Sequence, residues 1–108
     1  MKSYSINIIE DAEQDLVDIY RYMSFHDHEK NTDQLLDKLE SLCLSLDSLP
    51  LRGNIPPELD RIGVTNYHEV HLKPYRIIYE VIESSVFIHC VMDGRRDLLS
   101  VLERRLLR

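Results

Sequence analysis

Two apolar, β-rich runs that follow each other closely constrain the fold of this chain most. The first covers residues 75–83 and the second covers residues 86–92, and the polar turn Glu83-Ser84-Ser85 joins them. Both runs are rich in β-branched and aromatic residues, and both are apolar on two faces. This pattern predicts two adjacent antiparallel strands at the centre of a sheet that is covered on both sides.

The rest of the chain predicts the element order β-α-α-β-β-β-α. The remaining elements are a strand at 3–9, a helix at 10–25, a second helix that Pro50 ends, a strand at 67–73 and a helix from Asp97 to Leu107. The second helix carries an apolar stripe, made of Leu35, Leu36, Leu39, Leu42, Cys43, Leu46 and Leu49. We therefore expect an α+β fold, with a helical hairpin packed on one face of a four-stranded, mostly antiparallel sheet.

Residues 50–66 form a long connection that is rich in proline and glycine. Proline suits the first turn of a helix, so Pro56-Pro57-Glu58-Leu59 predicts one helical turn. The apolar residues of this segment suggest that it wraps the core.

Length and composition predict one globular domain that spans residues 1–108. No run of eighteen apolar residues and no signal-peptide core are present, so we expect a cytoplasmic protein without a membrane span. Cys43 and Cys90 both lie in apolar surroundings, which predicts two reduced, buried thiols.

The formal net charge of −6 is unevenly distributed. Residues 10–47 hold eleven acids and three bases, a balance of −8, whereas residues 93–108 hold five arginines and three acids, a balance of +2. A nucleic-acid-binding protein needs a concentrated basic surface to neutralise phosphates. The charge pattern therefore argues against tight RNA binding and is compatible with a protein partner.

Arg76 is the most informative charged residue, because it lies inside an apolar strand. Either a salt bridge to Glu69 or Glu80 or a functional role explains such a charge, and the sequence leaves both open. His71 and Lys73 are predicted on the same strand face as Glu69, where they are either functional or part of a solvated edge.

Arg95 and Arg96 follow the last strand, in a loop that can present them to a partner. The alternative for Arg96 is an ion pair with Asp97, which is predicted to cap the final helix. His89 is predicted to face away from both Ile88 and Cys90.

Histidine spacing does not indicate a metal site. His68 and His71 are three residues apart, which places them on opposite faces of a strand. His26 and His28 lack a third ligand.

Several segments in this order resemble the RelE/ParE superfamily, the toxins of bacterial type II toxin–antitoxin pairs, which are also described as plasmid-stabilisation proteins. They are Ala12-Glu13-Gln14-Asp15-Leu16, the Leu49-Pro50-x-x-Gly53 loop, Tyr75-Arg76-Ile77-Ile78-Tyr79 and Asp93-Gly94-Arg95-Arg96-Asp97. The resemblance covers nearly the whole chain. It implies a cognate antitoxin as partner and leaves a homodimer and a toxin–antitoxin hetero-oligomer both open. We expect no cofactor, because the chain has no Gly-rich phosphate loop, and no metal, because of the histidine spacing.

The superfamily includes RelE-like enzymes, which cut messenger RNA on the ribosome, and ParE-like inhibitors of DNA gyrase. The acidic balance and the absence of a tyrosine after Tyr79 favour the ParE-like function. In that case Lys73, Arg76, Arg95 and Arg96 are the candidate target- or partner-binding residues. A ribonuclease that uses Arg76, His71 and Arg95, and a family member that binds without toxicity, are the alternatives.

Overall fold

The computed structural model describes residues 3–106 and confirms the predicted order of elements. The helices and strands are β1 (Ser5–Ile8), α1 (Glu10–His26), α2 (Glu29–Leu44), α3 (Pro57–Asp60), β2 (Tyr67–Leu72), β3 (Tyr75–Ile82), β4 (Ser85–Asp93) and α4 (Leu98–Leu106). Two 3₁₀ turns, Ser45–Asp47 and Pro50–Arg52, lie between α2 and α3. The predicted final helix included Leu107, which lies outside the described residues.

The four strands form an open mixed sheet in the order β1-β4-β3-β2. β1 runs parallel to β4, and the other two pairs are antiparallel. The two apolar strands, β3 and β4, are therefore central, as their composition predicts.

Helices cover both faces of the sheet. The buried core on the α1/α2 face consists of Ala12, Leu16, Leu39, Cys43, Leu46, Tyr75, Ile77, Tyr79, Val86, Ile88 and Val91. A smaller core lies on the other face, where α3 and α4 meet the sheet, and consists of Leu59, Ile78, Cys90, Met92, Leu98 and Val101. The predicted helical hairpin accounts for the first core, and the α3 turn and α4 account for the second.

A β-bulge in β4 changes which face its side chains occupy. Ile78 pairs with Cys90 whereas Tyr79 pairs with Ile88, so His89 is an extra residue. The bulge interrupts the two-residue alternation, and Ile88 and Cys90 consequently lie in different cores. The prediction for His89 was therefore half wrong: the residue faces away from Ile88, as predicted, but it shares the face of Cys90.

The end of the helical hairpin also differs from the prediction. α2 ends at Leu44, and the 3₁₀ turn that follows buries Leu46. Leu49 has a left-handed backbone (φ 53°) and is 76% exposed, so it does not belong to the apolar stripe. The change from an α to a 3₁₀ helix alters the angle between successive side chains, and the stripe is lost after Leu46.

Tyr79 anchors the connection that follows. Its hydroxyl donates a hydrogen bond to the Pro50 carbonyl oxygen (2.6 Å) and accepts one from the Gly53 backbone N–H (3.1 Å). The predicted helical turn forms as α3, with Pro56 directly before it. This anchored connection places α3 against β3.

Both cysteines are buried free thiols, as predicted. Burial raises the pKa of Cys43 to about 11 and that of Cys90 to about 12, so both are protonated and unreactive near neutral pH. No helix within residues 3–106 has the length and apolar content that crossing a bilayer requires.

Candidate functional site

Arg76 is enclosed by two carboxylates on the α3 side of the sheet. Its Nε donates to Glu69 Oε1 at 2.7 Å, while Nη1 and Nη2 donate to the two oxygens of Glu58 at 2.9 and 2.8 Å. The Arg76 side chain is 12% exposed. Its charge is thus compensated within the molecule, and the salt-bridge interpretation of Arg76 describes its contacts.

Strand register and the α3 turn explain this arrangement. His71 lies opposite Arg76 in the β2–β3 pair, and Glu69, two residues earlier, shares the face of His71. Glu58 arrives from α3, which packs on the same face through Leu59. Glu69 and Glu80 were the two predicted salt-bridge partners of Arg76, and Glu69 is the one that pairs with it. Glu80 instead lies near His89 and accepts a hydrogen bond from Asn66.

Glu69 is the buried centre of this network. Its side chain is 2% exposed; Oε1 lies 3.0 Å from His71 Nε2, and Oε2 accepts a hydrogen bond from Asn54 Nδ2 at 2.9 Å. Hydrogen bonding to Arg76 lowers the pKa of Glu58, and the same bond raises the pKa of Arg76. One guanidinium and two carboxylates give a formal charge of −1 when His71 is neutral, which does not favour an anionic ligand.

Three other predicted residues, Lys73, Arg95 and Arg96, gather at one end of the sheet. Lys73 lies in the β2–β3 turn, while Arg95 and Arg96 lie in the turn between β4 and α4. The two turns touch, because the Gly94 N–H donates to the Pro74 carbonyl oxygen at 2.7 Å. We call Lys73, Arg95 and Arg96 the cationic end.

The three cationic side chains of this end differ in whether they have an ion-pair partner. Asp93 accepts hydrogen bonds from Arg95 Nε (3.1 Å) and Nη2 (2.9 Å), and this pairing lowers the pKa of Asp93. The Arg95 side chain is nevertheless 89% exposed. Lys73 and Arg96 are exposed and form no ion pair or side-chain hydrogen bond with another described residue. The ion pair between Arg96 and Asp97, which was the alternative to a partner contact, is therefore not formed.

A groove of about 430 Å³ lies beside the cationic end, between α1 and β4. Its lining includes Ile19, Tyr22, Tyr75 and Met92, the two arginines, and three acidic residues, Asp15, Asp18 and Asp93. Tyr22 is 62% exposed, whereas Tyr75 is nearly buried, and burial followed by the nearby Asp93 raises the pKa of Tyr75. The cationic end is thus bordered by a surface that mixes aromatic, apolar and acidic side chains, a combination suited to contact with a protein.

The three residues of the predicted ribonuclease site do not converge. Arg76 and His71 share Glu69, but Arg95 extends over Asp93 toward the groove. Gly94 directly precedes Arg95, and a Cβ atom added to Gly94 would lie 3.6 Å from Cδ of the Arg76 side chain. Among residues 3–106, no three or more His, Cys, Asp or Glu side chains are placed to hold a metal ion.

Sequence reasoning missed a buried ion pair between Asp15 and Arg105. Asp15 is 7% exposed; it accepts a hydrogen bond from the Val91 N–H at 2.9 Å and binds Arg105 Nη2. Arg105 Nη1 donates to the His89 carbonyl oxygen at 2.9 Å. The available signal was the position of Asp15, a charge between Ala12, Leu16 and Ile19 on the buried side of α1.

Comparisons with known proteins agree with this fold. The family model described as ParE toxin of type II toxin–antitoxin system, parDE, matches residues 6–98. No curated protein matches the chain at a significant level.

Two solved structures share the fold. One is the chromosomal ParDE toxin–antitoxin system from P. aeruginosa, with a TM-score of 0.71 and 15% identity over 86% of this chain and 98% of that one. The other is the toxin–antitoxin complex RelBE2 from Mycobacterium tuberculosis, with a TM-score of 0.64 and 19% identity over 86% of this chain and 93% of that one. Since the family model spans most of its length, the chain belongs to the ParE toxin family of type II toxin–antitoxin systems.

Proposed function

We propose that this toxin inhibits DNA gyrase by binding to it, without cleaving RNA, and that a cognate antitoxin neutralises it in the cytoplasm. The observation that carries the proposal is the enclosure of Arg76 by Glu58 and Glu69. This arginine is the one that the resemblance would assign to phosphate stabilisation in a ribonuclease.

Stabilising the charge of a phosphoryl transition state requires a positive group that is available to it. The guanidinium of Arg76 already donates from Nε, Nη1 and Nη2 to carboxylates. A phosphate at this position would meet the negative charges of Glu58 and Glu69 at close range. This supports a binding function over a catalytic one.

The overall charge supports the same conclusion. A net charge of −6, with −8 on residues 10–47, repels the RNA and the phosphate-rich surface of the ribosome. A protein target does not require a strongly basic toxin.

The cationic end and the adjoining groove supply the proposed target-binding surface. Lys73, Arg95 and Arg96 are exposed there, and Tyr22 offers an aromatic side chain beside them. Aromatic residues and arginines contribute much of the binding energy in protein interfaces. Arg76, which was predicted as a contact residue, would act indirectly by holding α3 and β2 beneath this end.

The antitoxin proposal rests on the family and on the two solved structures, which are both toxin–antitoxin systems. The antitoxin would form a hetero-oligomer with this chain and prevent it from reaching gyrase.

Two measurements test the proposed function. The chain is induced alone in bacterial cells, DNA and protein synthesis are pulse-labelled separately, and purified chain is added to a gyrase supercoiling assay. An early fall in DNA synthesis together with inhibited supercoiling supports the proposal. Translation that falls first, with ribosome-dependent messenger cleavage, overturns it in favour of the ribonuclease alternative. Soluble, folded chain that affects neither process overturns it in favour of a non-toxic binding module.

A further inference from the structure

The flank of β4 loses its neighbouring strand halfway along. β1 pairs with β4 from Ser85 to Ile88 and then ends, so the following residues of β4 have no strand on that side. The bulge at His89 lies directly after this point. Backbone N–H and C=O groups that face such a gap need other partners.

Asp15 and Arg105 supply these partners from two different helices. Asp15, on α1, accepts the Val91 N–H, and Arg105, on α4, donates to the His89 carbonyl oxygen. Asp15 and Arg105 also bind each other, so α1, β4 and α4 are joined by one set of contacts.

The turn between β4 and α4 is short. Its backbone conformation therefore depends on how β4 and α4 are placed relative to each other. Asp93 ends β4 and pairs with Arg95. Asp97 caps α4, since its carboxylate accepts hydrogen bonds from the Leu99 N–H (3.1 Å) and from the Ser100 hydroxyl (2.8 Å). Four residues, 94–97, therefore have to bridge from β4 to α4.

We propose that Asp15 and Arg105 are positioning residues for the target-binding turn. By fixing α4 against the end of β4, they set the direction in which Arg95 and Arg96 leave the surface. This inference rests on the proposed function, because it assigns the pair a role in presenting the cationic end to gyrase. Arg105 lies outside the groove that forms part of the target-binding surface, whereas Asp15 also lines it, so Arg105→Gln is the variant that separates positioning from direct contact.

The test compares Arg105→Gln and Asp15→Asn with the wild-type full chain in the gyrase supercoiling assay. Leu39→Ala is the control, because Leu39 lies on α2, outside the contacts that join α1, β4 and α4, and the assay temperature is chosen so that all variants are folded. We expect each variant of the pair to need roughly tenfold more protein for half-inhibition, the size of effect typical of a lost coupled contact. Leu39→Ala should inhibit like the wild type.

Backbone amide chemical shifts of residues 93–97 provide a second readout that does not involve gyrase. We expect them to move in Arg105→Gln and Asp15→Asn and to stay unchanged in Leu39→Ala, with Arg105→Lys intermediate because a compact ammonium lacks the planar fork with which Arg105 reaches both partners. Unmoved amides, or inhibition equal to that of the control, would overturn the positioning role. A wild-type chain that leaves gyrase unaffected overturns the proposed function, and the amide shifts then still decide whether the pair holds the turn.

Discussion

Glu58 binds Arg76 with both carboxylate oxygens, and this ion pair joins the four-residue helix α3 to the central strand β3. A helix this short has little stability of its own. The pair therefore does two things at once: it holds the long connection against the sheet, and it occupies the guanidinium that a nuclease would need.

Replacing Glu58 with Gln should destabilise the protein. The charge-assisted pairing to Arg76 is lost, but Arg76 keeps Glu69, so we expect a decrease in the free energy of unfolding of about 1–2 kcal/mol. Urea unfolding at pH 7 measures the change, and Asp60→Asn, an exposed position on the same helix, is the matched control. If both variants lost the same stability, the ion pair would have no special role.

The same variant probes the proposed function. Glu58→Gln removes one of the two negative charges around Arg76 while keeping a side chain of the same size at position 58. We expect purified Glu58→Gln, incubated with translating ribosomes, to leave messenger RNA intact, because Glu69 still pairs with Arg76 and compensates its charge. Cleavage that appears in the variant would mean that Glu58 masks a nuclease site.

The stability supplied by Glu58 should depend on pH. Hydrogen bonding to Arg76 holds the pKa of Glu58 below its usual value of 4.5, so the unfolded state takes up a proton at a higher pH than the folded state does. The stabilisation is therefore complete above the unfolded pKa and is lost as the pH falls through the lower folded pKa. The urea concentration at the unfolding midpoint is measured for both proteins from pH 7 to pH 3. The difference between the midpoints of wild type and Glu58→Gln should become smaller below about pH 4.5. A midpoint difference that stayed constant with pH would contradict a stabilising ion pair between Glu58 and Arg76.

Periodicity in the sequence was sufficient to predict all seven main elements and the central position of β3 and β4, because alternation and helical spacing are local properties. It could not place His89, since a bulge depends on how two strands pair and not on either strand alone. It also placed Leu49 in the buried stripe, because nothing in the leucine spacing reveals where an α-helix tightens into a 3₁₀ turn. For the site, Glu69 was predictable as a partner of Arg76 from strand register, whereas Glu58 comes from a connection whose path depends on the Tyr79 anchor.

That anchor makes Gly53 sensitive to substitution. A Cβ atom at this position would lie 2.6 Å from the Tyr79 hydroxyl oxygen and closer still to the Glu69 carbonyl oxygen. Gly53→Ala should therefore shift the connection and cost about 1–3 kcal/mol of stability, as other overpacked substitutions do. Gly63→Ala is the control, since a Cβ there meets nothing and the cost is limited to the strain of its positive φ of 79°. Thermal unfolding should show the larger loss for Gly53→Ala, and equal losses would argue against the close approach.

Charge reversal at Arg96 should weaken target inhibition more than stability. The Arg96 side chain is exposed and forms no ion pair or hydrogen bond within the described residues, so Arg96→Glu should change the free energy of unfolding by no more than about 0.5 kcal/mol. If Arg96 meets an acidic surface on gyrase, the variant should associate more slowly, and raising the salt concentration should narrow its difference from the wild type.

Arg21→Glu is the matched control for that measurement, because it makes the same charge change at an exposed position of α1, outside the cationic end and the residues that line the groove. Association rates measured at low and at physiological salt should separate the two variants. If Arg21→Glu slowed binding as much as Arg96→Glu does, net charge and not the cationic end would govern the encounter. A normal rate for Arg96→Glu would remove Arg96 from the target-binding surface.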